Sequence, residues 1–177
     1  MLGQDIKLDW VILDKDNADL LDSFSCGNEG IDDYIFDKGS SDLMAVTKMI
    51  LNSENNEVIC VYSLCCSSFI IESYNQFHPY PAVEIKIFAV NKAYQDMRYS
   101  DDSSEGCLSN FILNMIIGEI FDFTDSVCGA NIILLYSTEE GYDFYKKNGF
   151  QDFIESAVKT SDRFVADCYP MFMTIRQ

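Results

Sequence analysis

Glu84 and Lys86 stand out because they occupy a stretch that otherwise reads as buried strand. From Ala82 to Val90, Val83, Ile85, Ile87 and Ala89 alternate with Glu84, Lys86, Phe88 and Val90, the period-2 pattern of a central strand. The polar half must point toward water or into a cleft. A carboxylate desolvated in a cleft has a raised pKa and suits proton acceptance, directly or through water. The competing reading is a solvent-facing Glu84 paired with Lys86. The seven cysteines and single histidine offer less. Cys60, Cys65, Cys66 or Cys107 would need a base to act as an acylated nucleophile, and His78 lies in a Pro-rich stretch read as loop, so buried apolar thiols are expected. The odd count and the adjacent Cys65 and Cys66 argue for reduced thiols, and no paired CxxC or HxxxH spacing supports a metal site.

These residues belong to a chain of 177 residues, 48% hydrophobic and 14% aromatic, enough for one domain spanning 1–177 with a sizeable core. No run approaches the length of a membrane-spanning helix, and Met1 to Trp10 lacks the basic, apolar, small-residue sequence of a signal peptide, so the expected compartment is the cytoplasm. Twelve basic against twenty-nine acidic residues give a formal charge of −17. That field repels phosphate backbones, which disfavours nucleic acid, and draws cations; the plainer reading is that it keeps the chain soluble.

The pattern predicts the elements that position the chemistry. Ile6 to Leu13 reads as a strand, and Asp14 to Asp22 as turn. Ile31, Tyr34 and Ile35 describe a short amphipathic helix over Asn28 to Phe36, entered through Cys26-Gly27-Asn28. Val46 to Leu51 and Val58 to Ile71 should pair antiparallel across the Asn-rich turn Asn52 to Asn56. After the central strand and a long polar loop, Leu108, Phe111, Ile112, Met115, Ile116 and Ile120 form a helical stripe, capped at Ser103 or Ser104 or started at Ser109. Ala130 to Tyr136 reads as a buried strand. Ser137-Thr138-Glu139-Glu140 then caps a helix ending at Asn148-Gly149, and strands near Phe150 to Ile154 and Asp167 to Ile175 close the chain. The order implies an α+β fold: a mixed, mostly antiparallel sheet of about six or seven strands with helices on both faces.

Three segments in this order resemble one family. Phe144-Tyr145-Lys146-Lys147-Asn148-Gly149-Phe150 is similar to the last motif of the GNAT superfamily of N-acetyltransferases. Ile85 through Gln95 resembles its central strand and the start of its pyrophosphate loop, and Phe24-Ser25-Cys26-Gly27 with Ile31, Tyr34 and Ile35 resembles its opening helix. The resemblance implies a splayed parallel pair of strands and acetyl-CoA as co-substrate. Ile87, Phe88, Ala89 and Val90 would offer backbone groups to the pantetheine arm. The diphosphate would lie at a helix N-terminus, where N–H groups and the dipole favour anions. Here the sequence departs from the family pattern, because Arg98 and Ser100 stand where small residues belong. Gln95 and a longer wall over Asp96 to Asp102 would then precede a cradle formed by Ser104, Gly106, Cys107, Leu108 and Ser109. Arg98 would either meet the phosphates or pair with nearby aspartates.

The same resemblance places Tyr145 near the coenzyme sulfur as general acid, with aromatic packing as its competing role. Glu84 is the candidate base, a backbone N–H near Ala89 or Val90 the carbonyl polariser, and Tyr142 a lining residue of the acyl pocket. Three functions are compatible with this set. The first is acetyl transfer to a small-molecule or peptide amine, cationic if the charge steers it, by a soluble enzyme with no membrane partner and room for a homodimer. The second is a toxin of a toxin–antitoxin pair that acetylates charged tRNA. The third is a non-catalytic CoA-binding regulatory module.

Overall fold

Seven strands form one sheet in the order β1-β2-β3-β4-β5-β7-β6, in a computed structural model that describes residues 6–99, 106–158 and 167–175. The strands are β1 (Leu8–Ile12), β2 (Val46–Asn52), β3 (Val58–Ser73), β4 (Gln76–Val90), β5 (Ile132–Ser137), β6 (Gln151–Asp152) and β7 (Tyr169–Thr174). Helices α1 (Glu29–Lys38), α2 (Leu108–Phe123) and α3 (Glu139–Lys147) flank them, with a 3-10 turn at Ala18–Ser23 and a π-helical turn at Thr124–Cys128. β1 with β2, β2 with β3, β5 with β7 and β6 with β7 run antiparallel. β4 and β5 are the parallel pair, with Ala82 through Ile85 opposite Ile132 through Leu135. The mixed, mostly antiparallel architecture is the expected one.

The chain divides into two compact units, one made of Met1–Leu64 and Ile87–Gly118, the other of Cys65–Lys86 and Glu119–Gln177. The boundaries fall inside β3, β4 and α2, so three elements run through both units without a linker. In the first unit, Leu21, Phe24, Tyr34 and Ile35 pack with Met49, Val61, Ile87 and Ala89. Each of the large aliphatic side chains and Phe24 contributes at most about 1.5–3 kcal/mol on burial. Asn28 caps α1 as its entry turn predicts, its side-chain oxygen accepting from the Ile31 N–H at 3.2 Å. The second unit has a cluster of Phe69, Ala82, Ile132, Leu134 and Phe172, with Phe69 stacked on Phe172 at 4.9 Å.

Four local expectations are corrected. β4 begins at Gln76 and not after Pro81, so His78 lies in a strand and not in a loop. Tyr74 and Asn75, both at positive φ, make the two-residue turn between β3 and β4. Proline survives here because residues 76–81 are exposed overhang, where a missing N–H costs little. The strand expected over residues 150–154 shortens to Gln151–Asp152. The stretch read as turn before Asp22 folds its second half into the 3-10 turn. α2 starts at Leu108, ahead of Ser109; the caps expected at Ser103 and Ser104 lie outside the described residues.

Candidate active site

In the first unit, the end of β4 leads into a tightly bonded turn. Ile87, Ala89 and Val90 are buried and Phe88 is half-buried. The parallel ladder with β5 ends at Ile85, while β4 runs on to Val90. Asn91 anchors the start of the turn: its N–H donates to the Ile59 carbonyl at 2.8 Å and its side-chain amide to the Val58 carbonyl at 3.0 Å. Tyr94, buried, donates its hydroxyl to Glu57 at 2.7 Å. Burial, followed by that carboxylate, raises the Tyr94 pKa.

Gln95 is where the turn meets the entry to α1. Its side-chain amide donates to the Cys26 carbonyl at 2.8 Å and to the Val90 carbonyl at 2.9 Å. The Lys92 N–H adds a bond to the Ser25 carbonyl at 2.9 Å. Gly27 has φ +91°, and a Cβ there would fall 2.3 Å from Lys92 Cε, so the lysine stem lies directly against the glycine. Asp32 ties down the same turn, accepting from the Ser25 hydroxyl at 2.8 Å and the Cys26 N–H at 2.9 Å. Burial pulls the Asp32 carboxyl upward, but the donors from Cys26 and Ser25 together outweigh it and hold the group below its usual value. Burial, then Asp32, pushes the Cys26 thiol up to about 11.

Past Gln95 the chain closes on the start of α2. Arg98 and Cys107 form an antiparallel bridge, and Tyr99 stacks on Phe111 with centroids 3.6 Å apart. The Leu108 N–H donates to the Met97 carbonyl at 2.8 Å, and the Asn110 N–H to the Cys107 carbonyl at 3.1 Å. The Ser109 hydroxyl donates to the Gln95 carbonyl at 3.3 Å. A helix leaves its first N–H groups without intrahelical partners, and here the chain's own carbonyls take up those of Leu108 and Asn110. Gly106 sits at φ +72°, a left-handed conformation that glycine adopts without strain. Ser104 lies outside the described residues.

In the second unit, Glu84 stands opposite Leu134 in the parallel ladder, half-buried, on the same face as Ala82. The Ser67 hydroxyl on β3 donates to its Oε2 at 2.9 Å. Sequence reasoning missed Ser67, because no local pattern on β3 ties that hydroxyl to Glu84, 17 residues away.

Tyr145 belongs to α3. Thr138 caps the helix, its hydroxyl oxygen accepting from the Gly141 N–H at 3.3 Å. The Tyr145 ring, 9% exposed, packs edge-on to Phe144 at 5.3 Å and Phe150 at 5.7 Å. Gly141 makes room for it, since a Cβ there would lie 3.3 Å from the ring. Gly149, at φ +91°, reverses the chain so that the Phe150 N–H returns to the Tyr145 carbonyl at 3.1 Å. Tyr142, one turn earlier, donates to both oxygens of exposed Asp152, at 2.9 and 3.0 Å, and Lys146 reaches the same carboxylate at 3.0 Å. The hydrogen bond to Asp152 raises the Tyr142 pKa, and Lys146, then Tyr142, lowers that of Asp152.

No family model matches the sequence, and no curated protein matches it. The fold itself is that of the GNAT superfamily: a seven-stranded, mostly antiparallel sheet with one parallel pair and flanking helices. Within that fold the chain is similar to solved bacterial toxins. A tyrosine-to-phenylalanine mutant of the toxin AtaT, bound to the C-terminus of the antitoxin AtaR and acetyl-CoA, superposes with TM-score 0.69 at 17% identity, covering 97% of this chain and 94% of that one. AtaT complexed with acetyl-methionyl-tRNAfMet gives 0.67 at 16% identity, with 95% of each chain covered. The KacTA–DNA complex gives 0.66 at 14% identity, covering 96% and 94%. No helix among the described residues is long and apolar enough to cross a membrane.

Proposed function

We propose that the chain is an acetyl-CoA-dependent N-acetyltransferase of the toxin type, with the amino group of a charged tRNA as acceptor. The observation that carries this reading is the near full-length likeness to a toxin solved with acetyl-methionyl-tRNAfMet. The same toxin was solved with acetyl-CoA, the co-substrate that the resemblance of the segment around Tyr145 to the last GNAT motif implies.

In this reading the backbone of residues 87–90 pairs with the pantetheine arm, and the turn from Gln95 to Arg98 with Gly106, Cys107, Leu108 and Ser109 borders the diphosphate. The neutral amine attacks the thioester carbonyl, a C–N bond forms and the C–S bond breaks. A backbone N–H near Ala89 or Val90 steadies the oxyanion. Glu84, held by Ser67, accepts the proton lost by the amine, directly or through water, and Tyr145 donates its phenolic proton to the leaving thiolate.

The charge of −17 favours a second acceptor class, a cationic small-molecule or peptide amine. Radiolabelled acetyl-CoA separates the two when offered with charged initiator tRNA, a polyamine or a Lys-rich peptide. Label on the aminoacyl group supports the toxin reading. Label on the polyamine or peptide alone, with kcat/KM falling as salt rises, supports the second. No transfer to any acceptor, with a melting shift on acetyl-CoA, leaves a CoA-binding module; no shift at millimolar acetyl-CoA removes all three readings.

A further inference from the structure

β1 ends the sheet, and its register shows which of its backbone groups face outward. The Leu13 N–H donates to the Thr47 carbonyl and the Ser53 N–H to the Lys7 carbonyl, both at 2.9 Å. With Leu8 opposite Asn52 and Trp10 opposite Ile50, the odd-numbered residues of β1 bond to β2. The N–H and C=O groups of Leu8, Trp10 and Ile12 therefore point away from the sheet. Asn17 covers one of them, donating to the Ile12 carbonyl at 2.8 Å.

The side chains sharpen the picture. Val11 packs toward the core cluster, so Trp10 and Ile12 lie on the opposite face, where they are 42% and 58% exposed. Val46 shares that face through the register of β2 and is 51% exposed, and Leu43 and Met44 just before it are 98% and 79% exposed. Among the described residues no strand pairs with this edge, and an edge with large apolar side chains is a template for strand addition, which proteins ordinarily blunt with charges, proline or a covering element. Here Asp9 is exposed on the strand, and Asp14, Asp16, Asp19 and Asp22 come after it against Lys7 and Lys15.

From this geometry we infer that β1 is a docking edge for an extended segment of a partner protein that alternates apolar with cationic residues and adds to the sheet beside it. The apolar residues of the segment cover Trp10 and Ile12, and its cations face Asp9 and the acidic turn. A second copy of this chain is a poor occupant, because each copy carries a charge of −17. The inference stands apart from acetyl transfer.

Trp10 is the sole tryptophan, so its emission reports on the edge. The probes are short blocked peptides alternating Lys with Val, and matched peptides alternating Glu with Val. The expected result is a saturable blue shift with the Lys peptide, at least about tenfold tighter than with the Glu peptide and weakened by salt. Ile12→Pro removes an outward N–H at a place where an edge strand tolerates proline, and should abolish the shift. Ile12→Lys, which keeps the backbone but puts a charge on the apolar face, should do the same and carries the test if the proline variant misfolds. Absence of a shift at millimolar peptide, equal response to both peptides, or emission that changes on dilution of the protein alone would overturn the inference.

Discussion

Replacing Gln95 tests whether its side chain is a strut between the α1 entry and the end of β4, as the distances indicate. One amide nitrogen donates to two carbonyls, of Cys26 and Val90, at 2.8 and 2.9 Å. A net hydrogen bond is worth about 0.5–1.5 kcal/mol, and the bond to Cys26 is exposed, so losing the pair should cost about 1–2 kcal/mol. For a chain of this size that is a fall in Tm of roughly 2–8 °C. Gln95→Met removes the donors and keeps the length. Gln95→Glu also sets a carboxylate against two carbonyl oxygens, so it should melt lower still. Circular dichroism gives Tm, and hydrogen exchange at the Lys92 and Cys26 amides should quicken in both variants if the turn is released. Both variants melting within about 1 °C of the parent, with unchanged exchange, would show that the strut carries nothing.

Tyr145→Phe should lower kcat by about 10²–10⁴-fold with little change in acetyl-CoA affinity or Tm, the mark of a general acid. Tyr145→Ala should also cost about 3–5 kcal/mol because the ring fills the space beside Gly141, Phe144 and Phe150; a Phe variant with parental turnover makes Tyr145 a packing residue. The Cys26 thiol at about 11, against an ordinary 9.0, keeps its proton in the folded chain where the unfolded chain loses it. Its contribution to stability is therefore intact below pH 9 and is lost as pH rises toward about 11, and Cys26→Ser should flatten that alkaline decline in urea titrations. At pH 8 a two-unit rise cuts the thiolate about 100-fold and restores just under tenfold through nucleophilicity, so iodoacetamide should label Cys26 about tenfold more slowly in the folded chain than in the urea-unfolded chain. Tyr142→Phe should change the acceptor KM less than about twofold, because the hydroxyl is committed to Asp152 at the surface; a large rise would show that the hydroxyl itself contacts the acceptor.

The strands and helices were readable wherever one face is buried. The alternation from Ala82 to Val90, the stripe from Leu108 to Ile120 and the Thr138 cap are local signals, and each marks its element. Legibility failed where tertiary context overrides propensity. Pro79 and Pro81 read as strand breakers because a sequence does not say that residues 76–81 overhang. Tyr74-Asn75 lacks the glycine of a typical hairpin turn yet takes positive φ at both positions. Among the candidate residues, the helical placement of Tyr145 is legible because its segment lies within one helix and its cap. The partners of Gln95 are not, since Cys26 is 69 residues away and no periodicity reaches that far. Ser67, 17 residues from Glu84, was hidden for the same reason.

Each compact unit is assembled from two separated stretches of chain, with the divisions inside β3, β4 and α2. A ribosome therefore cannot finish the first unit when it finishes the first stretch: Ile87–Gly118 must emerge before its core is complete, and by then the opening stretch of the second unit is already waiting. The two units must mature in an overlapping order. No single backbone cut frees either unit as an uninterrupted fragment, so a nicked chain should stay together until it is denatured. A break between Lys86 and Ile87 would leave each half holding one stretch of each unit, so reassembly of the halves would restore both at once.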